Sequence, residues 1–168
     1  MQALYTELLR YPKLFEGSRW IEQYERYEYT AEPFAAFVNY ELSDLVEKIV
    51  GKSLVPTYAF PVLYESGGHI NPHRDVKDNF YSLSYSVASE PPGQQIGSAL
   101  VFVDTPSNSI SLDDPRTRVL NVPSEINRGT LYIGPEIVHW RTPLPVGVRL
   151  AQIIFAFRPI DQASCVSQ

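Results

Sequence analysis

Apolar side chains recur at near-helical spacing in two segments near the start of the chain. Residues 3–15 show the pattern, and residues 32–50 show it more strongly. The apolar positions of the second segment are Phe34, Phe37, Val38, Leu42, Leu45, Val46 and Ile49. Intervals of three and four residues place side chains on one face of a helix. The pattern therefore predicts two N-terminal helices.

Residues that favour helix ends flank the second of these segments. Thr30 lies upstream as a possible N-terminal cap, Pro33 falls in the first turn, and Gly51 follows the last apolar position. Between the two predicted helices, residues 20–29 are aromatic and charged and have no clear periodicity. Their pattern predicts no particular element.

The pattern changes after Gly51, where short runs of Val, Ile, Tyr and Phe alternate with prolines and glycines. Such runs, bounded by turn-forming residues, predict strands. The predicted strands lie near 56–64, 68–75, 80–88, 98–104, 117–121, 130–133, 136–141 and 147–157. Eight short strands without helices between them favour an all-β core with N-terminal helices. The expected fold is a double-stranded β-helix, a cupin-like jelly roll.

Length and composition predict one domain. The 168 residues, 44% of them hydrophobic, suffice for one core and are few for two. Within residues 1–168 we expect helical support over 1–52, the jelly-roll core over 53–160 and a polar tail over 161–168. The loops 89–97 and 104–116 are long enough to cover the mouth of a barrel.

Charge and targeting signals restrict the expected partners. A net charge of −5 gives no electrostatic basis for binding nucleic acid or anionic lipid. The single cysteine, Cys165, excludes a disulfide framework and a cysteine-based metal site. The N-terminal residues do not form a basic region followed by an apolar stretch, which is the pattern of a leader peptide. No apolar segment reaches the roughly 18 residues of a membrane span. We expect a cytoplasmic protein without membrane attachment, and nothing predicts its oligomeric state.

Candidate metal ligands stand near both ends of the predicted core. Residues 67–75 read Gly-Gly-His-Ile-Asn-Pro-His-Arg-Asp, so that His73 and Asp75 share one face of an extended segment. His139 is an isolated imidazole among apolar residues and offers a third ligand from a distant strand. Two histidines and one carboxylate are typical of Fe(II) sites that keep open coordination positions. We therefore predict that His73, Asp75 and His139 are the catalytic metal ligands.

Two other residues compete for these roles. His69 lies four residues before His73, a helical ligand spacing, but the neighbouring glycines and Pro72 oppose a helix. A place near the substrate or at the surface is open for His69. Asp78 could replace Asp75 but lacks the two-residue offset from His73 that a strand requires.

A cation interrupts the last predicted strand. Arg149 lies in an apolar run over residues 146–155, and a buried guanidinium needs an anionic partner. That partner is either a protein carboxylate or the distal carboxylate of a dicarboxylic cosubstrate, held bidentately.

The four residues together resemble a known family. His73, Asp75, His139 and Arg149, with Arg149 ten positions after His139, follow the order of the Fe(II)/2-oxoglutarate-dependent dioxygenases, particularly the prolyl-4-hydroxylase-like members. The resemblance extends over residues 56–157. It implies Fe(II), with 2-oxoglutarate as cosubstrate and O2 as oxidant. It also implies that Arg149 binds the 2-oxoglutarate carboxylate.

The resemblance carries further expectations about the site. A tyrosine hydroxyl often accompanies the basic residue in this family, and Tyr64 and Tyr85 are the preferred candidates. Arg74 and Arg141 flank the ligands and are expected on the opposite face of their strands, where they meet solvent or a substrate carboxylate.

Halogenating relatives lack the carboxylate ligand that Asp75 supplies, so the resemblance implies hydroxylation or desaturation, and C–H hydroxylation is the reaction expected here. The expected substrate is a small metabolite such as an amino acid or a natural-product intermediate. The alternatives are a prolyl-type peptide hydroxylase and, from a different class, a catalytically silent cupin-like metal-binding protein.

Overall fold

Two helices and ten strands make up the described part of the chain. The structure is a computed structural model, and it describes residues 1–12, 17–29, 32–104 and 117–160. The elements are α1 (Gln2–Arg10), β1 (Ser18–Ile21), β2 (Arg26–Tyr29), α2 (Pro33–Val50), β3 (Leu54–Tyr64), β4 (Ile70–His73), β5 (Tyr81–Glu90), β6 (Ala99–Asp104), β7 (Arg118–Pro123), β8 (Arg128–Ile133), β9 (Val138–Arg141) and β10 (Arg149–Pro159).

The strands form two antiparallel sheets. The larger sheet has the order β1-β2-β3-β10-β5-β8, and the smaller has the order β4-β9-β6-β7. Strands distant in sequence pair side by side, as β3 does with β10 and β6 with β9. This arrangement of mixed long-range pairs in two sheets confirms the predicted double-stranded β-helix.

Alternation along β10 separates two apolar clusters. Ile153, Phe155 and Phe157 point to the outer face of the larger sheet, where they pack with Tyr5 and Leu9 of α1. The alternate positions, among them Leu150 and Ile154, point to the space between the sheets. Full burial of a large apolar side chain contributes about 1.5–3 kcal/mol, so the outer cluster fixes both the helices and the phase of β10.

Helix α2 begins and ends close to the predicted positions, but with a different cap. The carboxylate of Glu32 accepts hydrogen bonds from the backbone N–H groups of Phe34 and Ala35, and Pro33 occupies the first turn. Thr30, the predicted cap, lies outside the described residues. Gly51 ends the helix with a φ of 69°, a conformation that glycine adopts without strain.

The segment between the helices is a β-hairpin, which the sequence pattern did not predict. Strands β1 and β2 pair with each other, and β2 extends the larger sheet by pairing with β3. The structure therefore adds a hairpin to the two helices expected within residues 1–52. The register places Arg26 opposite Tyr64, next to the space between the sheets.

The core strands begin and end near their predicted positions. The largest difference in length is at β4, which is shorter than predicted. The predicted strand 68–75 is reduced to Ile70–His73, so that Asp75 follows the strand end. The tail 161–168, with Cys165, and loop residues 105–116 lie outside the described residues. None of the described helices is both long and apolar enough to cross a membrane. The division into one domain stays a prediction.

The cap of α2 allows a direct test of how the helix is held. Glu32→Ala should lower the free energy of unfolding by about 1 kcal/mol, because two backbone N–H groups lose their acceptor. Urea denaturation followed by circular dichroism measures the change. Glu41→Ala, at an exposed position of the same helix, is the matched control and should change little. Equal effects of the two substitutions would contradict the capping role.

Candidate metal centre

His73, Asp75 and His139 converge at one end of the space between the sheets. One ligand atom from each residue lies within 4.8 Å of the other two. The Oδ1 atom of Asp75 is 3.5 Å from Nε2 of His73 and 3.6 Å from Nε2 of His139. Register places His73 opposite His139 in the paired strands β4 and β9. The predicted grouping of these three side chains is thus present in the structure.

Hydrogen bonds orient both imidazoles toward the centre. Nδ1 of His73 is 2.8 Å from the carbonyl of Asn71, and Nδ1 of His139 is 3.0 Å from the carbonyl of Ile137. A carbonyl accepts from a protonated nitrogen, so each Nδ1 carries the hydrogen and each Nε2 offers its lone pair. This tautomer is the one that a metal ligand needs, with the other ring nitrogen held by an acceptor.

The carboxylate of Asp75 is fixed by contacts from two directions. Ser82 donates a hydrogen bond of 2.6 Å to Oδ2, which leaves Oδ1 facing the imidazoles. A Cβ atom on Gly134 would lie only 2.2 Å from Oδ2, so glycine is needed where the chain passes the carboxylate. Burial by itself raises the pKa of Asp75, but the neighbouring imidazoles of His139 and His73 and the hydrogen bond from Ser82 outweigh it and hold the pKa well below its usual range.

Aromatic rings cover the buried ligand His139. The Tyr132 ring centroid is 4.6 Å from that of His139, and the Phe102 ring stacks on it at 6.0 Å. Neither ring was singled out from the sequence, because aromatic residues are common in strands. They keep water from one side of the centre.

Three cavities meet near this centre. A chamber of about 60 Å³ contains the three ligands together with Tyr64, Gln152 and other inward side chains. A second cavity, of about 200 Å³, adjoins it through Ser84, Leu100 and Gln152, which line both. A third, of about 500 Å³, lies between β7 and β8 and shares Tyr132 with the chamber. Residues with polar side chains form most of the wall of the second cavity, and the wall of the third is mainly apolar.

Tyr64 lies in the chamber, between two guanidinium groups. Its hydroxyl accepts a hydrogen bond of 3.2 Å from Arg26, and its ring lies 5.6 Å from Arg26 and 5.1 Å from Arg141. Arg26 also pairs with Glu28. Sequence reasoning missed Arg26 because it comes from the unpredicted hairpin. Contact of Tyr64 with a cosubstrate stays a prediction.

Arg149, which the resemblance implied as the residue that binds the 2-oxoglutarate carboxylate, lies outside the chamber. Register pairs the inward residue Leu150 with Tyr64, so Arg149 points to the outer face of the sheet. There its guanidinium contacts the Glu90 carboxylate and the carbonyl of Leu9, with Glu65 at 3.8 Å. Protein carboxylates thus supply the anion that the Arg149 guanidinium needs. They were the alternative partner in the sequence analysis.

Tyr85 is also outside the chamber. On β5 the inward positions are Ser82, Ser84 and Ser86, and Tyr85 lies between the last two, on the opposite face. Its ring packs against the outer apolar cluster, and its hydroxyl is 3.4 Å from Oδ1 of Asn127. The prediction that Tyr85 contacts a cosubstrate is therefore wrong for the same reason, the phase of a strand.

The competing ligands stay away from the centre. Nδ1 of His69 is 3.2 Å from the carbonyl of Gly67, and the ring meets Tyr24 edge to face. Asp78 is exposed in a short 3-10 helix over Lys77–Asn79. Among the described residues, the only grouped metal-ligating side chains are those of His73, Asp75 and His139.

The flanking arginines differ from each other. Arg74 is exposed and contacts the carbonyl of Glu136. Arg141 is only 1% exposed and lies on the same face of β9 as His139, because two residues separate positions of equal phase. The expectation that Arg141 points away from the ligand face is wrong.

The side chain of Arg141 has polar partners but no counter-charge. It donates to Oγ of Ser124 at 2.6 Å, to Oγ of Ser98 at 3.3 Å and to Oε1 of Gln152 at 2.9 Å. Its Nε atom is buried without an acceptor. No carboxylate of the described residues forms an ion pair with it. Burial lowers the pKa of Arg141, in keeping with a cation that lacks an anion.

Comparison with known proteins places the fold. No family model and no curated protein sequence matches the chain. Among solved structures, the alpha-ketoglutarate-dependent epimerase SnoN of nogalamycin biosynthesis is similar, with a TM-score of 0.67 and 15% identity over 99% of this chain and 81% of that one. SnoN has also been solved with Fe3+, alpha ketoglutarate and nogalamycin RO.

Two further structures represent other substrates. A Trichoplax adhaerens prolyl hydroxylase, in complex with a peptide fragment of hypoxia inducible factor, has a TM-score of 0.61 and 15% identity over 99% of this chain and 81% of its own. HygX from Streptomyces hygroscopicus, with nickel, 2-oxoglutarate and hygromycin B bound, has a TM-score of 0.59 and 11% identity over 94% and 77%. The fold is that of the iron and 2-oxoglutarate oxygenases, which confirms at this level the resemblance seen in the sequence.

The three ligands make a prediction about metal affinity. His139→Ala and Asp75→Ala should each weaken binding at least about tenfold, because each removes one of three converging donor atoms. Anaerobic titration with Fe(II) or Co(II) measures the change. His69→Ala and Asp78→Asn remove the same residue types outside the centre and should leave affinity unchanged. Wild-type affinity in His139→Ala would contradict the site.

The hydrogen bond from Ser82 makes a second prediction. Ser82→Ala should weaken metal binding roughly tenfold, because losing a partner that orients a ligand typically has this effect. Ser84→Ala is the matched control: its buried hydroxyl lies on the same face of β5 without a partner in the structure. The d–d absorption of bound Co(II) reports the altered carboxylate independently of activity. If both variants bind alike, Ser82 does not position Asp75.

Proposed function

We propose that this chain is an Fe(II)/2-oxoglutarate-dependent oxygenase that hydroxylates a C–H bond of a small organic substrate. The observation that carries the proposal is the convergence of Nε2 of His73, Nε2 of His139 and Oδ1 of Asp75. Two imidazoles and one carboxylate occupy one face of an octahedral Fe(II) and leave three positions for other ligands. A cupin that only stores metal has no need for such an open face.

The donor atoms and their surroundings fit iron and a 2-oxo acid. Both imidazoles present the tautomer that binds metal, and Asp75 is ionised over the physiological range. Ser84, whose Oγ is buried without a partner, lines the adjoining cavity, and Arg141, whose Nε is also without one, donates hydrogen bonds to Ser124 and Gln152 of the cavity wall. When bound, iron and 2-oxoglutarate supply the oxidising chemistry: with O2 they give succinate and CO2 and transfer one oxygen atom to the substrate.

The residues of this chain hold and shield that chemistry. His73, His139 and Asp75 fix the metal, and Ser82 holds Oδ2 of Asp75 so that Oδ1 remains the ligand atom. Tyr132 and Phe102 cover His139 and exclude water from that side. Exclusion of water limits side reactions of an oxidised centre.

The apolar cavity between β7 and β8 supports a small organic substrate. Its volume, about 500 Å³, falls within the usual range for small-molecule sites, and its walls include Phe102 and Tyr132, the rings that contact His139. The other apolar walls come from Leu120, Val122, Leu131, Ile133 and Ile137. SnoN and HygX, which share the fold, have been solved with nogalamycin RO and hygromycin B. A natural-product intermediate is therefore the preferred substrate class, ahead of a free amino acid.

Epimerisation is a second candidate outcome, because SnoN is an epimerase. The two outcomes differ in composition: hydroxylation adds one oxygen atom to the substrate, whereas an epimer has the same atoms as the substrate. The peptide bound by the Trichoplax prolyl hydroxylase keeps prolyl peptides among the substrates to be tested.

The proposed function is tested by turnover. Protein loaded with Fe(II) is incubated with 2-oxoglutarate, O2 and a panel of apolar ring compounds, free amino acids and prolyl peptides. Succinate formation identifies the substrate, and mass spectrometry distinguishes a gain of one oxygen atom from an isobaric epimer. We expect the ring compounds to react with oxygen gain. Failure of the metal-loaded protein to bind 2-oxoglutarate would overturn the proposal.

The substrate cavity allows a sharper test with a matched pair. Leu120→Arg introduces a charge into the apolar wall and should lower kcat/KM for the substrate about tenfold or more, with metal affinity unchanged. Val119→Arg is the control, since Val119 is a similarly exposed neighbour on β7 that does not line the cavity. Equal kinetics in the two variants would place the substrate elsewhere.

A further inference from the structure

We infer that Arg141, and not Arg149, binds the distal carboxylate of a 2-oxo dicarboxylic acid, in the polar cavity behind the metal centre. The inference rests on the proposed function, because it takes the other end of the same molecule to be at the metal. It departs from the sequence resemblance, in which the basic residue follows the distal histidine by ten positions.

Of the two buried arginines among the described residues, Arg141 is the one without a carboxylate partner. Arg26, at 7% exposed, pairs with Glu28, whereas Arg141, at 1% exposed, contacts only neutral groups: two serine hydroxyls, an amide oxygen and the Tyr64 ring. Removing a guanidinium from water is costly unless an anion compensates it. Neutral acceptors meet its hydrogen-bonding needs only in part. Nε lacks an acceptor in both arginines, so the absence of a carboxylate is what distinguishes Arg141 from Arg26. An anionic ligand is the missing component.

The polar cavity gives that ligand a place and a route. Its walls include Ser124 and Gln152, and both accept hydrogen bonds from Arg141. Gln152 also lines the metal chamber, together with Ser84 and Leu100, so the cavity continues to the ligands of the metal. A linear dicarboxylate with one end at the metal therefore reaches the surroundings of Arg141. The walls add hydroxyls from Ser84, Ser86 and Thr130 that suit a carboxylate.

Other cations near the cavity already have partners or face away from it. Arg128 lines the same cavity, but its side chain is 75% exposed and pairs with Glu125 at 2.8 Å. Arg149 lies on the outer face of the larger sheet with Glu90. A surface pair in water is worth little, whereas a desolvated guanidinium discriminates strongly between a carboxylate and a neutral group. Arg141 is thus the residue expected to bind the distal carboxylate of the 2-oxo acid.

The test compares two ligands that differ only in that carboxylate. 2-Oxoglutarate and 2-oxopentanoate have the same 2-oxo acid end, and the second carries a methyl group in place of the distal carboxylate. Affinities are measured by anaerobic calorimetry on protein loaded with Fe(II). Wild-type protein should prefer 2-oxoglutarate by about 100-fold or more, because removing one partner of a buried pair costs at least that much.

Two substitutions assign the preference to a residue. Arg141→Met should abolish most of the preference by weakening 2-oxoglutarate, with affinity for 2-oxopentanoate and for Fe(II) unchanged. Arg149→Met is the matched control: it should lower the thermal stability, because Glu90 loses its partner, but keep the full preference. Arg141→Lys keeps the charge in case Arg141→Met does not fold, and should retain a reduced preference for 2-oxoglutarate.

The outcomes separate this inference from the proposed function. A wild-type protein that binds both acids equally, or a preference lost in Arg149→Met and kept in the Arg141 variants, overturns the inference while the oxygenase assignment stands. A metal-loaded protein that binds neither acid overturns the proposed function as well. Loss of preference in the Arg141 variants, with turnover still supported by the oxygenase assay, supports both.

Discussion

Strand phase is the constraint on which the rest of this structure depends. The two sheets enclose a narrow space. Every second side chain of a strand points into this space and is removed from water, whereas its neighbours pack under the helices or reach solvent. On β10 the outer cluster of Ile153, Phe155 and Phe157 commits the alternate positions to the interior. The same rule on β9 brings His139 and Arg141 inside together and turns Trp140 away.

The predictable part of the site is the part that local spacing determines. His73 and Asp75 are close in sequence, and the candidate third ligand could be found because few histidines are present. Strand positions followed from runs bounded by Pro and Gly, so the fold class was accessible. The phase of β10 was not, because residues 148–157 are apolar on both faces and period-two alternation is then invisible in sequence. Arg149 was misplaced for this reason. Tyr85 belongs to β5, where Tyr81, Leu83, Tyr85 and Val87 alternate with serines and pack in the outer cluster.

Long-range pairing explains the residues that sequence reasoning missed. Arg26 enters the interior because β2 pairs with β3 in a register that puts it opposite Tyr64, and no local pattern reports that register. Ser82 and Gly134 matter through Asp75, to which one donates a hydrogen bond and beside which the other leaves space. Such roles depend on contacts between segments far apart in the chain, which only the folded arrangement specifies.

The interior behind the metal centre is built at a cost to stability. An unsatisfied buried polar group costs about 1–3 kcal/mol. Oγ of Ser84, in the cavity wall, is in this state, and so is Nε of Arg141, whose guanidinium donates to Ser124 and Gln152 of that wall. Apolar side chains of similar size would pack the same space at lower cost, as β10 does on its outer face. A fold that carries polar groups there instead is suited to an anion, whose binding recovers the cost. Ligand affinity and the stability of the folded chain are then two measures of the same interaction, because a ligand that binds only the folded state stabilises it in proportion to the logarithm of its concentration over Kd.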